Sequence, residues 1–236
     1  MDAPNSTQPA FSLVECRVLG VLVEKAKTTP DVYPLSLNSL TAGCNQKSNR
    51  DPVLSLGEDE VETTLASLQK TGLVTRIQGG RVERWKHNLY EQWNVGKVEL
   101  AILTELLLRG PQTEGELRGR AGRMEPIADL DALRQTLKPM AERSQVVFLG
   151  VPGRRGTLIA HGFHDPRELE GLRARAQGEA GAAETVAAFS VPIERAGAKN
   201  ELLGEVAALK TDVQQLRADL QALADQVQQL RTSLGS

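Results

Sequence analysis

Aromatic side chains make up only 3% of these 236 residues, so Leu, Val, Ile and Ala have to fill the interior, as suits short helices packed closely. Cysteine is also scarce. Cys16 and Cys44 both lie in apolar helical patterns, form no redox or metal motif, and read as reduced core residues. No apolar run reaches the length of a membrane span, and Met1 to Ala10 is polar, without a basic start or apolar stretch, so a cytoplasmic protein with no membrane contact is expected. A net charge of −2 gives no global attraction to nucleic acid. Any such affinity has to be local. An apolar fraction of 40% excludes general disorder, and the length suits one or two small domains with a tail.

The tail is the strongest single pattern. Leu202, Leu209, Leu216, Leu223 and Leu230 recur every seventh residue, and Val206, Val213, Leu220, Val227 and Leu234 form a second row between them. The valine-rich row at a and the leucine row at d favour a two-stranded parallel coiled coil. Acidic g positions (Glu205, Asp212, Asp219) face basic e positions (Lys210, Arg217, Arg231), so parallel strands bring Glu205 to the partner's Lys210 and Asp212 to the partner's Arg217. A homodimer is therefore expected through these ten apolar positions. A single helix folded back on its own domain would need a broader apolar stripe.

Upstream, the same order of signals occurs twice. Ser12 and Glu15 form a capping box before a helix carrying Leu19, Leu22, Val23 and Ala26, which stops before Pro30. After Gly96 a helix carries Val98, Ile102, Leu103, Leu106 and Leu107 and ends at Gly110 and Pro111. Pro34, Ser36 and Leu40 are spaced like Pro111, Thr113 and Leu117; Val61, Leu65 and Leu68 are spaced like Leu133, Leu137 and Met140. Each triplet precedes a strand (Leu73 to Ile77, Val146 to Leu149), a glycine turn, and a return strand ending near His87 or His161. Three short helices and a hairpin make a winged helix. The fold expected is mainly α with small β-hairpin wings (α+β): tandem winged-helix domains followed by a C-terminal parallel coiled coil. The boundaries expected are a disordered N-terminus over 1–11, winged-helix domains over 12–95 and 96–164, a flexible and partly helical linker over 165–200, and the coiled coil over 201–234. Pro139 predicts a kink or an early end to the second domain's third helix.

The stretch Cys44-Asn-Gln-Lys-Ser-Asn-Arg50-Asp-Pro52-Val, preceded by Thr28-Thr-Pro30-Asp-Val-Tyr-Pro34-Leu-Ser-Leu-Asn38, resembles the YceH family of uncharacterised bacterial proteins. The resemblance continues through Leu106-Leu-Leu-Arg-Gly-Pro-Gln-Thr-Glu-Gly-Glu-Leu-Arg118 and Arg123-Met124, covering roughly Ser12 to His164. It implies a tandem winged-helix fold and no particular activity.

Winged helices often lay the third helix in a DNA major groove. Here that helix opens with Glu58, Asp59, Glu60 and Glu62, and its counterpart follows Glu125, Asp129 and Asp131, so phosphate would repel both. Carboxylates in a first turn also satisfy the helix dipole. Basic residues sit on the wings, at Arg76, Arg81, Arg84 and Lys86 and at Arg154 and Arg155, and in the motif loop at Lys47 and Arg50. These eight are the candidate DNA-phosphate contacts, against a solvated basic face as the plainer account. The loop Asn45, Gln46, Lys47, Ser48, Asn49 and Arg50 offers amides and cations to an anion, and equally the residues that close loops. His161, His164 and Asp165 are too closely spaced for a metal site and read as a wing-end histidine with loop residues. No nucleophile–base arrangement or phosphate-cradling glycine loop is present, so no catalytic residue, metal or cofactor is expected. Two functions follow: a non-enzymatic regulator touching DNA phosphates through its wings, or a protein–protein adaptor using winged-helix surfaces.

Overall fold

The computed structural model describes residues 9–79 and 82–176. At the start of α1 (Leu13–Thr28) the Ser12 hydroxyl accepts the Glu15 N–H at 3.2 Å and the Glu15 carboxylate accepts the Ser12 N–H at 2.8 Å. This reciprocal cap satisfies two otherwise unpaired donors. A 3₁₀ turn at Pro30–Val32 leads to α2 (Leu37–Cys44), capped by Ser36. Then come α3 (Glu58–Lys70) and a hairpin of β1 (Val74–Ile77) and β2 (Arg84–His87). After one helical turn, α4 (Leu89–Gln92), the order begins again with α5 (Lys97–Arg109), β3 (Gln112–Thr113) and α6 (Glu114–Ala121). It closes with α7 (Leu130–Glu142), β4 (Val146–Phe148) and β5 (Leu158–His161). Residues 166–176 are helical.

The correspondence extends to single bonds. In the first half Leu35 pairs with Trp85; in the second β3 pairs with β5 through Gln112 and Ile159, making a sheet ordered β3-β5-β4. The Leu73 N–H bonds the Leu68 carbonyl and the Gln145 N–H bonds that of Met140, with Gly72 and Ser144 at positive φ between them. Ser36 lies 77 positions before Thr113, whereas Val61 lies 72 before Leu133. The first half therefore has five extra residues between its second and third helices, and the motif loop occupies that insertion.

The two halves share one core. Eight successive residues of α1, Cys16 to Val23, and nine of α5, Leu100 to Leu108, are buried, so both helices are covered on all sides and not along one stripe. They touch at Gly20, where an added Cβ would sit 2.8 Å from the buried Leu108 side chain. Phe11, expected within a disordered N-terminus, is instead anchored. Its N–H donates to the Phe163 carbonyl at 2.9 Å, and its ring lies 5.2 Å from Phe163 and 6.2 Å from Trp93.

The expectation for Pro139 fails in one respect: α7 does not end early but runs on to Glu142. Leu137 and Met140, both fully buried, hold its last turn against the core, which offsets the hydrogen bond that proline removes. Among the described residues no helix is long and apolar enough to cross a membrane. The coiled-coil positions and most of the expected linker lie outside the described residues.

Candidate functional site

Glu58, Asp59, Glu60 and Glu62 are all exposed along the first turns of α3, whose N-cap, Gly57, has no side chain to bond the free N–H groups. The helix dipole thus favours the acids where they stand. Of these four, among the described residues, only Glu58 bonds another side chain, accepting the Asn38 amide at 3.0 Å. The acids of the second half are more committed. Asp129 caps α7 through the Ala132 N–H at 2.8 Å, Glu125 pairs with Lys27 at 3.0 Å, and Asp131 and Glu114 share Arg134.

The wing cations do not form one surface. Pairing of Arg76 with Trp85 puts both on the inner side of the hairpin, whereas Arg84 and Lys86 alternate to the outer side. Arg76 bonds Glu83 across the turn and lies 6.0 Å from the Trp85 ring; Arg84 donates to the Pro34 carbonyl at 2.7 Å. Lys86, Arg154 and Arg155 are exposed. Arg81 lies outside the described residues.

The motif loop is largely a structural clasp. Asn45 exchanges two hydrogen bonds with the Leu56 backbone, at 2.9 and 2.7 Å. Arg50, expected to reach for phosphate, is instead buried: its guanidinium grips both Glu24 oxygens at 3.1 and 2.5 Å and bonds Gln46 and the Gly43 carbonyl. Such a guanidinium is fully used within the protein. Behind it Arg17, also buried, donates to the Cys44 and Pro52 carbonyls at 2.9 and 2.5 Å, and burial followed by the nearby Arg50 charge lowers its pKa. Arg17 escaped the sequence reading because a cation inside an apolar helix pattern looks like a surface residue. Lys47, Ser48 and Asn49 remain exposed at the loop's tip.

Those three residues edge a cleft of about 590 Å³ between the halves. Lys25 and Thr28 of α1 line one side; Glu105 and Arg109 of α5, then Arg120, Arg123 and Met124, line the other. Glu105 and Arg109 lie 2.9 Å apart, yet neither Glu105 Oε1 nor Arg109 Nε makes an aligned hydrogen bond. Burial raises the Glu105 pKa, outweighing the Arg109 and Arg120 charges. A second space of about 370 Å³, lined by Arg50, Asp51 and Gln112, shares Asn49, Arg109 and Arg120 with the first.

Burial pushes the Cys16 and Cys44 thiols up to about 12, so neither is a ready thiolate. The His161 and His164 rings stack 3.8 Å apart, with His161 Nε2 3.9 Å from the Cys16 sulfur and His164 Nδ1 3.0 Å from Glu168. Asp165 turns to its own chain, accepting the Arg167 N–H at 2.9 Å. Among the described residues no three His, Cys, Asp or Glu side chains are placed to hold a metal ion.

What this arrangement defines is a helix-rich protein with two small antiparallel sheets, committed polar clusters and one open cationic cleft. Residues 11–157 match the family described as "Protein of unknown function, DUF480", and the chain belongs to that family of uncharacterised bacterial proteins. A UPF0502 protein of Geobacter sulfurreducens is 53% identical over 152 residues, covering 63% of this chain and 69% of its own. One from Rhodopirellula baltica is 50% identical over 165 residues, 69% of each chain, and one from Azoarcus is 40% identical over 221 residues, 92% of each.

Proposed function

We propose that the chain is a cytoplasmic, non-enzymatic adaptor: two tandem winged-helix halves, paired into a parallel homodimer by the C-terminal heptads, that dock a basic partner protein on α3. The observation behind this is the exposed acidic opening of α3, where Glu58, Asp59, Glu60 and Glu62 stand in the position a DNA-reading helix would use, with Lys70 the first base along the helix. Four carboxylates there oppose a phosphate backbone and speed encounter with a cationic surface. The split of Arg76 from Arg84 and Lys86, and the burial of Arg50, further weaken phosphate binding through the wings and loop. The test is cross-linked capture of partners in the native cell under nuclease treatment. A basic partner should be retained, and E58Q with E62Q should slow its association. Capture that nuclease abolishes would overturn the reading.

DNA association is the second reading. It is favoured by exposed Lys86, Arg154 and Arg155 on the two hairpins. It would be a phosphate contact without base reading, and so salt-dependent and indifferent to sequence.

A further inference from the structure

The cleft between the halves combines an unusual set of charges. Its carboxylates are already answered, Glu24 by Arg50 at 2.5 Å and Glu105 by Arg109 at 2.9 Å. Of its other cations Arg120 is held by Glu116 and Gln112, at 3.3 and 2.8 Å, but three are less committed: among the described residues Lys47 and Arg123 form no ion pair, and Lys25 comes no closer than 4.0 Å to Glu24. Beside them stand the Thr28 and Ser48 hydroxyls and the Asn49 amide, and Met124 is the one apolar side chain in the lining. Charged and polar side chains dominate this lining. It suits a compact polar anion, and about 590 Å³ falls within the range of small-molecule sites.

We propose that this cleft is a binding site for a small phosphorylated ligand. Lys25, Lys47 and Arg123 supply the charge, and the Ser48 hydroxyl and Asn49 amide N–H donate to the remaining oxygens; the Thr28 hydroxyl is spent on the Glu24 carbonyl at 2.8 Å. A phosphate group presents several oxygens around a concentrated negative charge, which fits cations converging from three directions; a single carboxylate would leave one or more unanswered. The lining is an open concavity drawn from both halves, a shape that seats a compact ligand and not a duplex laid across a surface. Because α1 and the motif loop hold one wall while α5, α6 and Arg123 hold the other, an occupied cleft ties the halves together. Ligand binding to the folded state alone raises stability by mass action. The proposal is independent of the docking role of α3.

The test uses the full chain with inorganic pyrophosphate as probe, followed by calorimetry and thermal unfolding, with citrate as a multiply charged carboxylate control. The expected result is saturable binding at one site per chain, a rise in Tm of several degrees, and at least tenfold weaker binding of citrate. K47Q with R123Q, both on the cleft rim, should weaken pyrophosphate at least tenfold while leaving the ligand-free Tm unchanged. K86Q with R155Q, on the hairpins, should bind normally. Absence of saturation at millimolar pyrophosphate overturns the site. Equal affinity for citrate overturns the phosphate assignment, and displacement of pyrophosphate by a short DNA duplex at lower concentration overturns the small-ligand assignment.

Discussion

His87 and His161 hold the same post in the two hairpins. Each ends its return strand, paired with Val74 and Val146 respectively, and each accepts through Nδ1 the N–H of the residue two places on, Leu89 or Phe163, at 3.3 Å. Burial lowers the His87 pKa to about 4, helped by the charges of Lys27 and Lys86, with Tyr33 and Tyr90 flanking the ring. Burial likewise lowers His161 to about 3, helped by His164.

A pH dependence follows from that pair. Both rings titrate near 6.5 when unfolded and far lower when folded, so below about pH 6.5 the unfolded chain binds more protons. Stability is complete above that value and falls as the pH drops toward 4. Urea midpoints at pH 7 and pH 5 should differ, and H87Q with H161Q should remove most of the difference even if it lowers both midpoints. An unchanged pH slope in the double variant would contradict the assignment.

Two glycines predict opposite signs. A Cβ at Gly162 would lie 1.7 Å from the Ser144 carbonyl oxygen, so Gly162→Ala has to displace backbone, at or above the roughly 1–3 kcal/mol usual for overpacking. Gly119, within α6, has nothing within 4 Å of its would-be Cβ. Gly119→Ala should stabilise by about 0.5–1 kcal/mol. Denaturant titration of the two variants checks both.

Arg50→Ala should destabilise by about 3–5 kcal/mol, because it leaves the partly buried Glu24 carboxylate without its partner. Adding Glu24→Ala should recover part of that loss, since no uncompensated charge then remains. A double-mutant cycle without coupling would mean that the clasp contributes nothing.

If the heptads pair the chain as proposed, Leu216→Lys with Leu223→Lys, which places like charges at two d positions of the repeat, should leave monomers by sedimentation where the unaltered chain is a dimer. A dimer of unchanged affinity would remove the tail from the dimer's assembly.

Caps and periodicity made the helices legible: Ser12, Ser36 and Thr113 cap where hydroxyls precede apolar spacing, whereas the cap that Asp129 gives α7 was read only as one of a group of acids. The repeat was legible because corresponding core positions keep their spacing. Less could be read where partners are distant in sequence. Nothing near Arg17 or Arg50 announces Cys44, Pro52 or Glu24 as neighbours, so a buried cation and an exposed one look alike in a string. The all-round burial of Cys16 to Val23 in α1 and of Leu100 to Leu108 in α5 was also hidden, because the helices cover each other across the two halves. The cleft arises from that same packing, and beforehand only its Gln46 to Asn49 edge and the Arg123-Met124 pair stood out, with nothing to show that they face each other.

The adaptor reading meets its most direct test in fluorescence anisotropy of the full chain against duplex DNA across a salt series. The reading predicts weak binding without sequence preference, no tighter than the roughly 10⁻⁶ M of nonspecific contacts at physiological salt, and unchanged or slightly stronger binding for E58Q with E62Q. Tight, sequence-specific binding that the same pair of substitutions destroys would show that the α3 acids read bases, and would contradict the account.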